Sequence, residues 1–146
     1  MSRTYSLIKL PRSLRSLAPP TVEVAHEIRL LEINGKCPVF KELTNLWKKD
    51  KTSFERLANV VQTQLMQVEV LRDPKKVRRG RGTGKGMFEF KGGNSRLFWF
   101  LSRCGKLIIC TNTYWKTGDQ EKEQAEAFGR GNRMRLEYGD GLQHPK

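Results

Sequence analysis

The sequence has few of the residues on which metal sites and most catalytic centres depend. Its three cysteines, Cys37, Cys104 and Cys110, are odd in number and lack CxxC spacing. This excludes a zinc site of that type and favours buried, reduced thiols in a cytoplasmic protein. Of the two histidines, His26 and His144, one lies in the extreme C-terminal tail, so a nuclease with a paired histidine base and acid is not expected.

The carboxylates and hydroxyl groups form no recognisable catalytic pattern either. No DxD spacing occurs, and no nucleophilic serine or cysteine motif is present, so the sequence predicts neither a metal site nor a cofactor. The glycine-rich run GRGTGKG at 80–86 fails as a nucleotide-binding P-loop, because Gly86 stands where that motif needs Ser or Thr. Two interpretations of this run stay open, a cationic loop that contacts phosphates and a solvated linker.

Long apolar runs and acidic residues are scarce as well. No apolar run approaches the roughly 18 residues of a membrane span, and YSLIKL near the N-terminus is too short and interrupted for a signal peptide. Against 28 Lys and Arg stand only 15 Asp and Glu, which gives a net charge of +13. Such an excess favours a polyanionic partner, among which RNA, DNA and the ribosome are candidates. We expect no membrane partner.

Length and periodicity predict a single α+β domain over residues 21–140. A flexible basic arm at 1–20, which ends in two prolines, precedes it, and a tail at 141–146 follows it. A strand is expected over part of 21–34, where apolar and polar residues alternate.

Helical spacing predicts two consecutive helices after this strand and one more near the C-terminus. The first helix has an apolar face that includes Trp47, and the second starts with a capping box at Thr52. The last helix begins at about Asp119, with acidic residues in its first turn. Gly129 and Gly131 weaken this helix and are expected to break it.

Three strands between the helices form a predicted antiparallel meander, at residues 87–91, 96–101 and 107–115. Alternation places the phenylalanines of the first two strands in the core; these are Phe88, Phe90, Phe98 and Phe100. Trp99 has the opposite parity and is expected to be exposed or to lie on a second face.

Basic and aromatic residues gather at the ends of this meander. Lys91 and Arg96 flank the GGNS turn, so they are expected to approach one another across the hairpin. Tyr114, Trp115 and Lys116 close the third strand. Ammonium and guanidinium groups bind phosphates and stabilise extra negative charge on them, while aromatic rings stack on unpaired bases.

The stretch FEFKGGNSRLFWFLSRCGKLIICTNTYWKTGDQEKEQAEAFGR resembles the RelE/HigB superfamily of toxins from type II toxin–antitoxin modules, in particular its phage-derived HigB-like branch. Residues 88–91, 96–100, 105–110 and 114–116 match successive elements of the family pattern, and the resemblance spans 37–138. It implies a RelE-like sandwich, in which a small antiparallel sheet packs against two N-terminal helices and a C-terminal helix. It also implies metal-independent cleavage of mRNA, usually in the ribosomal A site, and a small cognate antitoxin with a DNA-binding element.

The resemblance also implies roles for individual residues. Lys91 and Arg96 would hold the scissile phosphate, Lys116 would assist in charge stabilisation, and Tyr114 would stack on a base or transfer a proton. Further RNA contacts are predicted on the basic loop and around the turn, at Arg78, Arg79, Arg81, Lys85, Asn94 and Trp115.

The chain departs from the family pattern at the place of the general base. Trp115 replaces the first residue of a two-lysine element, and Asn112 and Thr113 lie where a histidine is often found. Tyr114 or a lysine of lowered pKa is then the candidate base. Two other functions stay open, a non-catalytic nucleic-acid-binding module on the same fold and a phage protein that binds a host protein.

Overall fold

One mixed β-sheet with helices on both faces organises the computed structural model, which describes residues 3–18, 24–66, 77–80, 86–116 and 121–142. Within these residues the sheet has six strands in the order β1-β2-β6-β5-β4-β3. Their bounds are β1 Tyr5–Ile8, β2 Glu27–Ile33, β3 Val77–Arg79, β4 Phe88–Gly92, β5 Ser95–Leu101 and β6 Leu107–Trp115.

The predicted meander β4-β5-β6 and the strand in 21–34 are confirmed, but the sheet is not purely antiparallel. Strands β2 and β6 pair in parallel, with Ile28 opposite Ile108, while the other neighbouring pairs are antiparallel. The expectation of a small antiparallel sheet is therefore wrong. Pairing between strands so distant in the chain leaves no local periodic signal in the sequence.

Three α-helices follow the predicted order, α1 Pro38–Lys49, α2 Lys51–Leu65 and α3 Glu121–Leu142, and a 3-10 helix spans Arg12–Leu17. The cap of α2 differs from the prediction. The carboxylate of Asp50 accepts a hydrogen bond of 3.1 Å from the backbone N–H of Ser53, so the helix begins before Thr52 and has an aspartate cap. None of the helices in these residues combines the length and apolar character that a membrane crossing needs.

Helices α1 and α2 cover one face of the sheet, which we call the helix-pair face. Trp99 is fully buried there and stacks on Phe88 and Phe90, with ring centroids 4.6 and 4.7 Å apart. Phe98 and Phe100 are buried on the opposite face. Phe90, Phe98 and Phe100 are therefore buried core residues, as predicted, whereas Phe88 is partly buried; Trp99 is buried on the face that it shares with Phe88 and Phe90.

Helix α3 covers that opposite face, which we call the α3 face. Its core includes Phe98, Ile109 and Phe128. The helix runs unbroken through Gly131, where a Cβ atom would lie 2.7 Å from the Asn112 Oδ1 atom and 2.8 Å from the Met87 Cε atom. The expected break is wrong, since the glycine lets the helix approach the sheet closely.

The N-terminal segment is part of this fold rather than a flexible arm. Strand β1 pairs with β2, and Tyr5, Leu14 and Leu17 are buried. The prediction over 1–20 is therefore wrong for the described residues, because apolar side chains between the basic ones bury enough surface to hold the segment. At the other end α3 extends to Leu142, and the rest of the predicted tail lies outside the described residues.

The three cysteines are free thiols, but only Cys110 is buried. Cys37 is partly buried, and Cys104 is exposed. The expectation of buried thiols is thus wrong for Cys104, which lies in the turn between β5 and β6.

Candidate nucleic-acid interface

Three of the four predicted catalytic residues lie in one row across three neighbouring strands. Lys91 in β4 is the register partner of Arg96 in β5, and Arg96 is the partner of Tyr114 in β6. Their positions alternate with residues of the helix-pair core, so all three belong to the α3 face. Side chains paired in this way have Cβ atoms roughly 4.5–5.5 Å apart. The predicted approach of Lys91 and Arg96 across the hairpin is confirmed, and we call the three residues the cationic row.

The turn between β4 and β5 fixes the position of this row, and two glycines let it dock on α2. A Cβ atom at Gly92 would lie 2.2 Å from the backbone nitrogen of Leu57. At Gly93 the backbone φ is +57°, and a Cβ atom would lie 2.5 Å from the Ser53 Oγ atom. Both positions therefore exclude larger residues, which explains the pair of glycines at this turn.

A hydrogen-bonded group that we call the Asp50 network fastens the same end of the sheet. The backbone N–H of Asn94 donates to the Ser53 Oγ atom at 2.9 Å, and the Ser53 hydroxyl donates to Asp50 Oδ2 at 2.7 Å. The indole N–H of Trp115 also donates to Asp50 Oδ2, at 3.0 Å. These bonds hold the pKa of Asp50 below its usual value, with the Ser53 hydroxyl as the largest cause. The network ties the junction of α1 and α2 to the turn and to the end of β6.

Hydrogen bonds to the turn and a nearby carboxylate orient the side chain of Arg96. Its Nη1 atom donates to the carbonyl oxygens of Gly93 at 2.9 Å and Ser95 at 2.8 Å. Its Nε atom lies 4.0 Å from Glu89 Oε2, and its side chain is 13% exposed, whereas that of Glu89 is fully buried. Gln124 of α3 donates to Glu89 Oε1 at 2.5 Å. The cation assigned to phosphate binding is thus also the counter-charge of a buried carboxylate.

Tyr114 has a pKa above its usual value, chiefly because its phenol is partly desolvated and secondarily because Glu123 lies nearby. The phenol is therefore protonated at neutral pH. It can donate a hydrogen bond or a proton, or stack on a base, but it is unsuited to the role of general base.

The other predicted RNA-binding residues are distributed around this end of the sheet. Asn94 is exposed in the turn, and its carbonyl oxygen accepts a bond of 2.6 Å from the backbone N–H of Lys116. Trp115 lies on the helix-pair face, with the Lys49 Nζ atom 4.0 Å from its ring centroid. The structure thus brings Lys116 and Asn94 together beside the turn and places Trp115 on the opposite face from the cationic row.

Of the RNA contacts predicted on the basic loop, only Arg79 and the backbone of Arg78 belong to the described residues. Arg79 is exposed on the helix-pair face, with its guanidinium carbon 5.7 Å from the ring centroid of Phe88. The backbone of Arg78 pairs with Glu89 in β4. The Arg78 side chain and the predicted contacts at Arg81 and Lys85 lie outside the described residues.

Sequence reasoning missed two features of this region. Trp47 was expected in the apolar face of α1, but it is 46% exposed, and the Lys51 Nζ atom lies 5.5 Å from its ring centroid. Glu89 alternates with phenylalanines in β4 and would be expected to face solvent, but α3 covers it. Strand alternation shows which face a residue is on, not which face a distant helix covers.

No protein-family model, curated protein or solved structure matches the chain. The resemblance to the RelE/HigB toxins therefore rests on the sequence features given above. Among the described residues, no group of three or more His, Cys, Asp and Glu side chains is arranged to hold a metal ion.

Proposed function

We propose that the chain is an endoribonuclease toxin of the RelE/HigB type, with a RelE-like sandwich fold, that acts in the cytoplasm. It would cleave mRNA on the ribosome without a metal ion and so inhibit translation. The observation that supports this most is the cationic row, in which Lys91, Arg96 and Tyr114 stand side by side on adjacent strands. The net charge of +13 and the family resemblance of the same strands agree with it.

In this mechanism the ribose 2′-hydroxyl gives its proton to a base, for which a neutral lysine is the candidate that remains, and its oxygen attacks the adjacent phosphorus. The new bond closes a 2′,3′-cyclic phosphate, and the bond from phosphorus to the departing 5′-oxygen breaks. Lys91 and Arg96 would hold the phosphate and stabilise the added negative charge in the transition state. Lys116, beside the turn, would add to that stabilisation. Tyr114, protonated at neutral pH, suits the donation of a proton to the departing oxygen or stacking on a base.

Expression in a bacterium tests the proposal. The wild-type chain should arrest growth and produce cleaved mRNA, and Lys91→Ala or Tyr114→Phe should abolish or strongly reduce both effects. Arg96→Ala should do the same, but Arg96→Lys is needed beside it, since Arg96 also balances Glu89. Arg130→Ala, at an exposed position of α3, is the matched charge control. Growth without mRNA cleavage in the wild type would contradict the proposal.

The second candidate is a non-catalytic nucleic-acid-binding module. It is favoured by the engagement of Arg96 with the buried carboxylate of Glu89, which leaves less positive charge to stabilise a transition state, while the net charge of +13 still attracts a polyanion. This function predicts salt-sensitive RNA or DNA binding by the purified chain, without cleavage and without toxicity.

The proposed toxin also requires a cognate antitoxin. A small protein with a DNA-binding element, encoded in the neighbouring reading frame, should copurify with the chain and prevent the growth arrest. A neighbouring frame without such a protein would favour the binding module.

A further inference from the structure

A second group of basic and aromatic side chains lies where α1 meets α2, at the same end of the sheet as the cationic row. We call Trp47, Lys49, Lys51 and Trp115 the junction patch. Lys49 lies over the Trp115 ring at 4.0 Å and Lys51 over the Trp47 ring at 5.5 Å. Both lysines are exposed, and Trp47 is 46% exposed.

Helix stability accounts for only part of this arrangement. Lys49 is in the last turn of α1, where a cation is favoured by the helix dipole. Lys51 is the first residue of α2, whose first turn has no acidic residue, and a cation is disfavoured at that end. An exposed tryptophan is likewise unneeded for the core. Two unfavourable placements at one site suggest a role in binding.

The acidic residue within the patch does not offset these lysines strongly. Asp50 stands between them in sequence, but its carboxylate accepts bonds from Ser53 and Trp115. It is thus directed towards the β4–β5 turn and the end of β6. The exposed surface of the patch presents ammonium groups and indole rings.

The patch is continuous with the cationic row around the end of β6. Trp115 and Tyr114 are consecutive residues on opposite faces of that strand. Lys116 follows them and is bonded to Asn94 in the turn. A strand of nucleic acid whose phosphate lies at the row can therefore pass over the turn and reach the patch.

We propose that the junction patch binds unpaired nucleotides of single-stranded RNA that flank the phosphate held by the cationic row. Bases would stack on Trp47 and Trp115 in place of Lys49 and Lys51, whose ammonium groups would move from the rings to the phosphates between the bases. This inference rests on the RNA binding in the proposed function, though not on cleavage.

Fluorescence anisotropy with 2′-O-methyl oligouridine, which resists attack by the 2′-oxygen, tests the inference. Trp47→Ala should weaken binding of a 12-nucleotide strand by roughly fivefold or more and leave a 4-nucleotide strand, which fits on the row alone, unchanged. Trp47→Phe should recover most of the affinity. The Lys49→Ala, Lys51→Ala double variant should reduce the steepness with which log K falls against log salt concentration. The expected reduction in slope is about 1.4, that is about 0.7 for each phosphate contact on a single strand.

Exposed cations on α3 provide the matched control. Arg130→Ala with Arg133→Ala removes the same charge from a surface away from the patch and should weaken both strand lengths alike. Circular dichroism of each variant checks that the fold is intact.

Cleavage of mRNA on translating ribosomes, measured in parallel for each variant, separates the two proposals. If Trp47→Ala and the wild type bind the long strand with equal affinity and mRNA is cleaved, RNA binding by the junction patch is overturned and the proposed endoribonuclease is retained. A length-dependent loss of affinity without cleavage would support the patch and overturn the endoribonuclease. No binding of either strand by the wild type at low salt would overturn the junction patch, whatever the outcome of the cleavage assay.

Discussion

The two faces of the sheet are built from different chemistry. At its centre the helix-pair face is apolar, with Leu97, Trp99 and Ile108 fully buried against α1 and α2. The α3 face buries polar groups among its phenylalanines, including Glu89 and Asn112, which are fully covered. Buried polar groups cost free energy unless they are bonded. The helix-pair face therefore contributes most to the free energy of unfolding. The α3 face contributes less, because it buries polar side chains.

The polar groups of the α3 face meet this requirement through specific partners. The amide of Asn112 donates to the carbonyl oxygen of Ala127 at 3.0 Å, and the Thr111 hydroxyl donates to Asn112 Oδ1 at 2.6 Å. A register shift between Phe98 and Trp99 makes this possible, because a bulge in the ladder lets consecutive residues of β6 approach the same helix. The cationic row extends this polar face to the end of the sheet.

The largest effect that tests this comparison is expected from Trp99→Ala. It empties the centre of the helix-pair face, where the indole stacks on Phe88 and Phe90, and should lower the free energy of unfolding by about 4 kcal/mol. Urea denaturation monitored by circular dichroism measures it. Trp47→Ala, at a half-exposed position, is the control and should change stability by less than about 0.5 kcal/mol. Similar losses in the two variants would refute the assignment of stability to this face.

Gly92→Ala should have the next largest effect, about 3 kcal/mol, because the added Cβ atom would lie 2.2 Å from the backbone of Leu57. The turn and α2 would have to separate. Gly105→Ala is the control: its φ of +76° strains an alanine, but the space around it is open, so a loss of about 1 kcal/mol is expected. If the two variants unfold at the same urea concentration, the turn does not depend on close contact with α2.

The order of elements could be predicted from the sequence because each has a strong local pattern. Helical spacing in α1 and α2 and alternation in β4 and β5 identify them without any knowledge of the fold. The role of the N-terminal segment and the parallel pairing of β2 with β6 could not be predicted, since both depend on contacts between distant parts of the chain. The exposure of Trp47 depends likewise on how far α1 is covered by its neighbours.

The cationic row could be predicted in part. The spacing of Lys91 and Arg96 around a glycine turn places them opposite one another, and the register of β6 then adds Tyr114. The carboxylate of Glu89 beneath Arg96 could not be foreseen, because it is buried by Gln124 from a helix that lies more than 30 residues further along the chain. Burial by a distant helix changes what the arginine is available to do.

The pair of Arg96 and Glu89 tests the α3 face, where we expect a loss of about 2 kcal/mol in the free energy of unfolding. Arg96→Met should destabilise the chain by about that amount, because it leaves a buried carboxylate without its cation. Glu89→Gln should cost less, since the guanidinium left behind is nearer to solvent. The double variant should be more stable than the sum of the two losses predicts. Strict additivity in urea denaturation would show that the two side chains do not interact.

The smallest expected effect, from Asp50→Asn, concerns the polar network at the end of the helix-pair face. The hydrogen bonds from Ser53 and Trp115 hold the pKa of Asp50 below its unfolded value of 3.8. A group whose pKa is lowered by folding stabilises the protein above its unfolded pKa, and this contribution is lost as the pH falls through the folded pKa. The wild type should therefore exceed Asp50→Asn in thermal stability at pH 6 to 7, and the difference should shrink below about pH 4.

Thermal unfolding of both proteins across this pH range measures the difference, with Glu126→Gln on the exposed surface of α3 as the control for net charge. Trp115→Phe should reduce the pH dependence of the wild type, because it removes the second of the bonds that favour the ionised carboxylate. If the difference between wild type and Asp50→Asn is the same at pH 3 as at pH 7, the aspartate acts only as a neutral cap. The end of the helix-pair face would then be held by packing of Gly92 on Leu57 rather than by a charged network, and the two faces would differ less than their buried polar groups suggest.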